Sequence, residues 1–97
     1  NIQPEEIEKV LMMSEQVENA LVVSIDDPEF GQRPVAFIKL KDDVSLDVSV
    51  LSDFLKSYLP KFKIPVRYYS WPAHIETENF KLKRQSFKSL AKKLDLV

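Results

Sequence analysis

Ile7, Val10 and Leu11 recur at i, i+3 and i+4, which places them on one face of a short helix. Pro4 opens that helix, where its missing N–H is an orphan in any case, and Glu5 and Glu6 suit the positive end of the helix dipole. From Val17 to Ile25 the period drops to two. Val17, Leu21, Val23 and Ile25 fall on one side, and Ala20, Val22 and Ser24 on the other. Apolar residues on both sides predict a strand partly covered on both faces. Asp26-Asp27-Pro28-Glu29-Phe30-Gly31 is the turn that follows, and it holds the only glycine. A second strand is predicted from about Pro34 to Leu40, with Ala36, Ile38 and Leu40 alternating against Val35, Phe37 and Lys39. A connection of this length joins antiparallel neighbours, although it is longer than a tight hairpin.

Val50, Leu51, Phe54, Leu55, Tyr58 and Leu59 repeat at helical spacing, with Ser45 or Asp47 as the cap and Pro60 as the limit. Val66 to Trp71 is a short β-rich run stopped by Pro72, and residues 73–80 carry no period and read as a loop. The last helix is predicted from about Arg84 to Leu94, with Phe87, Leu90, Ala91 and Leu94 facing inward. The order helix, strand, strand, helix, strand, loop, helix predicts an α+β fold. It is a small sandwich of about three helices on a roughly three-stranded, largely antiparallel sheet. No internal repeat or low-complexity segment interrupts it.

Composition narrows the function classes. The 97 residues allow one domain, and chains of this size bury roughly 60–70% of their unfolded surface, enough for one modest core. Hydrophobic residues at 44% and charged residues at 30% are ordinary for a globular chain. The absence of cysteine excludes a thiolate metal site, a thiol nucleophile and a disulfide framework together. A net charge of −1 offers no global attraction to nucleic acid or to an acidic membrane, so neither is expected as a partner. No apolar run nears the roughly 20 residues of a membrane span, and no signal peptide opens the chain. A cytoplasmic setting is expected. Asn1-Ile2-Gln3-Pro4 opens without an initiator methionine, so a piece of a longer protein is expected as well.

Candidate chemistry is sparse. His74 is the only histidine, which removes a paired-histidine relay, and it reads as an ordinary loop residue. Glu15 with Glu18, and Asp26 with Asp27, read as solvated carboxylates rather than acid–base pairs, and Met12, Met13 and Trp71 as packing residues. One cluster rises above this background: Lys81, Lys83, Arg84, Lys88, Lys92 and Lys93. Lys81 and Lys83 fall in or beside the loop, and Lys88 and Lys92 lie one turn apart on the face opposite Phe87 and Leu90. On these residues alone the cluster is either a solvated helix face or an edge that binds the phosphates of a nucleotide or coenzyme A.

Three segments, in order, resemble the C-terminal domain of adenylate-forming enzymes. Asn1-Ile2-Gln3-Pro4-Glu5-Glu6-Ile7-Glu8 is similar to that family's "glycine-glycine-glutamate-asparagine-isoleucine…proline-x-glutamate-isoleucine-glutamate" motif, truncated at its start. The run from Asp27 through Gly31 to Phe37 is similar to its "aspartate…glycine-glutamate…alanine" strand–turn–strand. Phe80-Lys81-Leu82-Lys83-Arg84 is similar to its "glycine-lysine-isoleucine-x-arginine" motif. Glu29-Phe30-Gly31-Gln32-Arg33-Pro34, Pro65-Val66-Arg67 and Lys81-Leu82-Lys83-Arg84-Gln85 further resemble the branch that joins o-succinylbenzoate to coenzyme A in menaquinone biosynthesis.

The resemblance implies a mobile C-terminal lid spanning residues 1–97, whose partner is its own N-terminal domain. It implies a ligase that takes a small carboxylic acid, o-succinylbenzoate, with ATP and coenzyme A, and passes through an acyl-adenylate. Mg2+ would be held mainly by the N-terminal domain, and this piece alone is expected to be inactive. Other acyl-CoA synthetases, carrier-loading adenylation domains and a stand-alone phosphate-ligand module are the alternatives. Lys81 matches the motif lysine that reaches the reacting phosphate in the first half-reaction. Arg84 matches the motif arginine, as a helix anchor or a ligand contact, and Lys83 and Lys88 are further candidates for ATP or coenzyme A phosphates. Three departures stand out: Phe80 replaces the glycine before the lysine, Ile75-Glu76-Thr77-Glu78-Asn79 stands in place of the usual proline-threonine-serine lead-in, and Gln32 replaces the usual glutamate.

Overall fold

A computed structural model describes residues 2–73 and 80–95, with 80–82 and 95 described by backbone alone. His74 and the segment 75–79 lie outside the described residues. Helix α1 spans Pro4–Leu11 with Pro4 in its first turn and Gln3 as cap residue. Strands β1, Val17–Asp27, and β2, Gly31–Leu40, form the long antiparallel pair that the alternation predicts. Helix α2 spans Val48–Lys56. Of the two candidate caps, Asp47 serves: its carboxylate accepts the Val50 N–H at 3.1 Å. A 3-10 turn at Lys61–Lys63 leads into β3, Arg67–Ser70, and α3 spans Phe80–Asp95.

The sheet order is β1-β2-β3; the long β1–β2 pair is antiparallel, as expected, and the short third strand makes the sheet mixed. Helix α2 carries the chain back along β2, so β3 joins β2 parallel, pairing Val35 with Arg67 through Ile38 with Ser70. Helices cover both faces. On one, Ile7 and Leu11 of α1 and Leu51 and Leu55 of α2 bury Val17, Ala20, Val22, Ala36 and Ile38. On the other, Phe87 and Ala91 of α3 bury Leu21, Val23, Val35 and Phe37.

Val17 departs from the simple alternation. The register shifts between Val17 and Asn19, and this bulge inserts one residue into β1. Parity therefore flips, and Val17 packs with Ala20 and Val22 rather than with Leu21 and Val23. Met12 and Met13 correct a second expectation. They follow the end of α1 and are about half exposed, at 45% and 53%, instead of packed. The buried stripe of this segment is narrower than the period implied, because Val50 of α2 and Tyr58 beyond its end are exposed while Leu51 and Leu55 are sealed. Trp71 does pack, with its ring 5.1 Å from that of Phe87.

Candidate functional site

Helix α3 starts one turn earlier than its apolar period implies. Phe80-Lys81-Leu82-Lys83 contains no helix breaker, and Lys and Leu are good helix formers, so the helix propagates back from Phe87 to Phe80. Lys81 and Lys83 therefore stand in the first turn of α3, where the sequence placed them in or beside a loop. The Lys81 side chain lies outside the described atoms. Lys83 sets its ammonium over the Trp71 ring, 5.1 Å from the centroid. Lys88 is half-buried, and Lys92 and Lys93 are exposed in the last turn.

Arg84 is engaged inside the domain. Its Nη1 donates to Glu8 Oε2 at 2.7 Å and to the Val22 carbonyl at 2.6 Å, and its Nη2 donates to Glu8 Oε1 at 3.2 Å. Glu8 Oε2 also accepts the Val22 N–H at 2.7 Å. Val22 belongs to β1, the outer strand of the sheet, and it turns both backbone groups away from β2. The carboxylate and the guanidinium thus fill the places of the next strand's C=O and N–H. This satisfies a strand edge that would otherwise be open. Such a fork-to-carboxylate pair is directional as well as charged. The Glu8 side chain is 8% exposed and that of Arg84 is 23% exposed.

A second constellation lies at the β1–β2 turn. Asp27 Oδ1 accepts the N–H groups of Glu29 at 2.8 Å and Phe30 at 2.9 Å, and Gly31 supplies the positive φ of +84° that closes the turn. Those two bonds, that from Phe30 first, and the nearby Arg33 hold the Asp27 carboxyl below the usual carboxylate range. The turn borders a cleft of about 300 Å³ lined by Phe30, Gln32, Arg33, Lys61 and Phe62. Phe30 and Phe62 are 59% and 51% exposed, unusual for phenylalanines with no core to fill. The Arg33 guanidinium carbon lies 5.0 Å from the Phe30 centroid, and Lys63 Nζ lies 5.7 Å from that of Phe62. Two open rings beside cations make a surface for a flat aromatic group carrying negative charge.

The sequence reading missed this cleft. Its signal was the alternation of basic and aromatic residues in Pro60-Lys61-Phe62-Lys63, together with the unburied Phe30 of the turn. Lys63 bonds Glu6 at 2.7 Å, which ties the 3-10 turn to α1. Elsewhere, burial pushes the Tyr68 hydroxyl above the ordinary tyrosine range, partly offset by its bond to Ser52. Among the described residues, no group of three or more His, Asp or Glu side chains is arranged to hold a metal ion, and no helix is long and apolar enough to cross a membrane.

Comparison with known proteins places this geometry. The 2-succinylbenzoate–CoA ligase of Geobacillus sp. strain WCH70 is 41% identical over 90 residues, covering 93% of this chain and 18% of that protein. The enzyme of the same name from Escherichia coli K12 is 38% identical over 87 residues, covering 90% and 18%. Among solved structures, wild-type E. coli MenE with a bound phenylether-linked analogue of OSB-AMS superimposes with a TM-score of 0.77 at 34% identity. The match covers 94% of this chain and 19% of that one. The chain therefore spans about a fifth of the length of the relatives it matches. The model of the AMP-binding enzyme C-terminal domain matches residues 6–81, from α1 into the first turn of α3, and the chain belongs to that family.

Proposed function

We propose that this chain is the mobile C-terminal domain of an ATP-dependent carboxylate–CoA ligase whose acid is o-succinylbenzoate. The observation that carries the proposal is the similarity to 2-succinylbenzoate–CoA ligases across nearly the whole chain. In the first half-reaction the carboxylate attacks the α-phosphate of ATP, giving acyl-adenylate and pyrophosphate. In the second, the coenzyme A thiol displaces AMP to give the thioester. The adenylate pocket and the Mg2+ that accompanies ATP belong to the N-terminal domain in this reading.

Lys81 is assigned to the first step. Negative charge gathers on the phosphate oxygens during attack, and an ammonium placed there stabilises it and holds two anions together. A compact charge on a flexible stem can enter and leave as the domain moves. The Glu8 and Val22 bonds of Arg84 support an anchoring part for that residue. The open rings and cations of the Phe30–Phe62 cleft support the second step: adenine stacks on a ring, and Arg33 and Lys61 meet the phosphates of coenzyme A. Lys83 and Lys88 are the further phosphate contacts of the proposal.

The test uses the full-length enzyme that carries this domain. Lys81→Ala lowers adenylate formation from o-succinylbenzoate and ATP by about 10²–10³-fold, the usual loss for one electrostatic donor. Thioester formation from preformed adenylate survives. If wild-type enzyme does not turn over o-succinylbenzoate, the substrate assignment fails. If both half-reactions survive Lys81→Ala, the role passes to Lys83.

A further inference from the structure

The Glu8–Arg84 pair joins three elements, α1, β1 and α3. Helices α1 and α3 lie on opposite faces of the sheet, and the pair wraps the β1 edge between them. Phe87 and Ala91 hold the middle of α3 by apolar contact, which sets how deep the helix sits more firmly than it fixes rolling and sliding. Three hydrogen bonds with fixed directions, from Arg84 to Glu8 and the Val22 carbonyl, remove that freedom. Arg84 stands three residues after Lys81, a rise of about 4.5 Å along the same helix. The Val22 backbone groups need partners on this edge, but polar side chains without charge would supply them. A charged, nearly buried pair is an expensive way to satisfy one residue of a strand edge unless its geometry matters.

We propose that Glu8 is a positioning residue for the adenylation step, acting through Arg84 on the first turn of α3 that carries Lys81. The inference rests on the assignment of Lys81 above. Loosening the clamp lets that turn shift by about 1 Å, and misplacement of this size commonly lowers a rate by about 10²-fold. ATP and the acid are held by the other domain, so their affinities are insulated from the change.

The experiment compares Glu8→Gln, Lys81→Ala and the double variant in the full-length enzyme, with each half-reaction assayed separately. Gln keeps an oxygen for the Val22 N–H and removes the charge that orients Arg84. Expected for Glu8→Gln is a fall of about 10–100-fold in kcat for adenylation, with KM for ATP and acid changed by less than about threefold. Thioester formation from preformed adenylate stays within about threefold, on the same reasoning. Once Lys81 is gone, Glu8→Gln has little left to impair, so the two losses do not multiply. Arg84→Lys, which keeps the charge and loses the fork, gives an intermediate loss in the same step and substitutes if Glu8→Gln does not fold. Equal losses in both half-reactions, no loss in either, or fully multiplicative losses with Lys81→Ala overturn the proposal. Unimpaired adenylation by Lys81→Ala overturns the assignment beneath it instead, whatever Glu8→Gln does.

Discussion

Removing the Phe87 ring tests how α3 is held. Phe87 is fully buried, with its ring edge-on to Phe37 at 5.0 Å and to Trp71 at 5.1 Å. The core on this face is small, and among the described residues of α3 the buried ones are Phe87 and Ala91. A buried phenylalanine cut to alanine costs about 3–5 kcal/mol, through lost transfer energy and the cavity left behind. The upper half of that range is expected here, since two aromatic pairings go with the ring and each contributes roughly 0.5–1.5 kcal/mol beyond area. Against about 5–15 kcal/mol for a whole domain, the loss is a large fraction. Urea unfolding of the 97-residue chain, followed by circular dichroism and by Trp71 fluorescence, reads it directly. Backbone hydrogen exchange adds the location: α3 amides lose protection first, while those of α2, packed on the opposite face, keep theirs. Leu94→Ala serves as the control, because Leu94 is 37% exposed and its change costs well under about 1 kcal/mol. A loss for Phe87→Ala below about 1.5 kcal/mol, or α2 and α3 opening together, would refute this account of docking.

Asp47→Ala removes the cap of α2, which bonds the Val50 N–H at 3.1 Å, and should cost about 1 kcal/mol in the same unfolding assay. Asp47→Asn should recover most of it, and equal losses from both would assign the effect to charge rather than to the bond. The lowered pKa of Asp27 gives a sign for acid behaviour. The folded state binds this proton more weakly than the unfolded state, so the contribution is present above the ordinary aspartate range and disappears as pH falls through the folded-state value. Asp27→Asn should flatten the dependence of stability on pH below about 4, and an unchanged acid limb would refute the turn geometry. In the full-length enzyme, Phe62→Ala should raise KM for coenzyme A by about tenfold, the loss of one stacking or cation–π contact, and leave adenylation alone.

The order of elements, the helix start at Pro4 and the membership of the family were legible in the chain itself, and the cap of α2 was narrowed there to Ser45 or Asp47. Each depends on neighbours within a turn or two, where period, capping and backbone restriction act directly. The three motif segments were likewise local. What the chain did not disclose depends on residues far apart in sequence. The bulge that turns Val17 to the α1 face is set by pairing with β2, and strict alternation cannot see it. The parallel course of β3 follows from where α2 returns the chain. The first turn of α3 lacks an apolar period of its own, so its helical state became visible only in the fold. Glu8 and Arg84 are 76 positions apart, one inside a helix motif and one in a basic cluster. Nothing in either neighbourhood marks them as partners, because their affinity arises only when folding takes both from water and sets them against the open edge of β1.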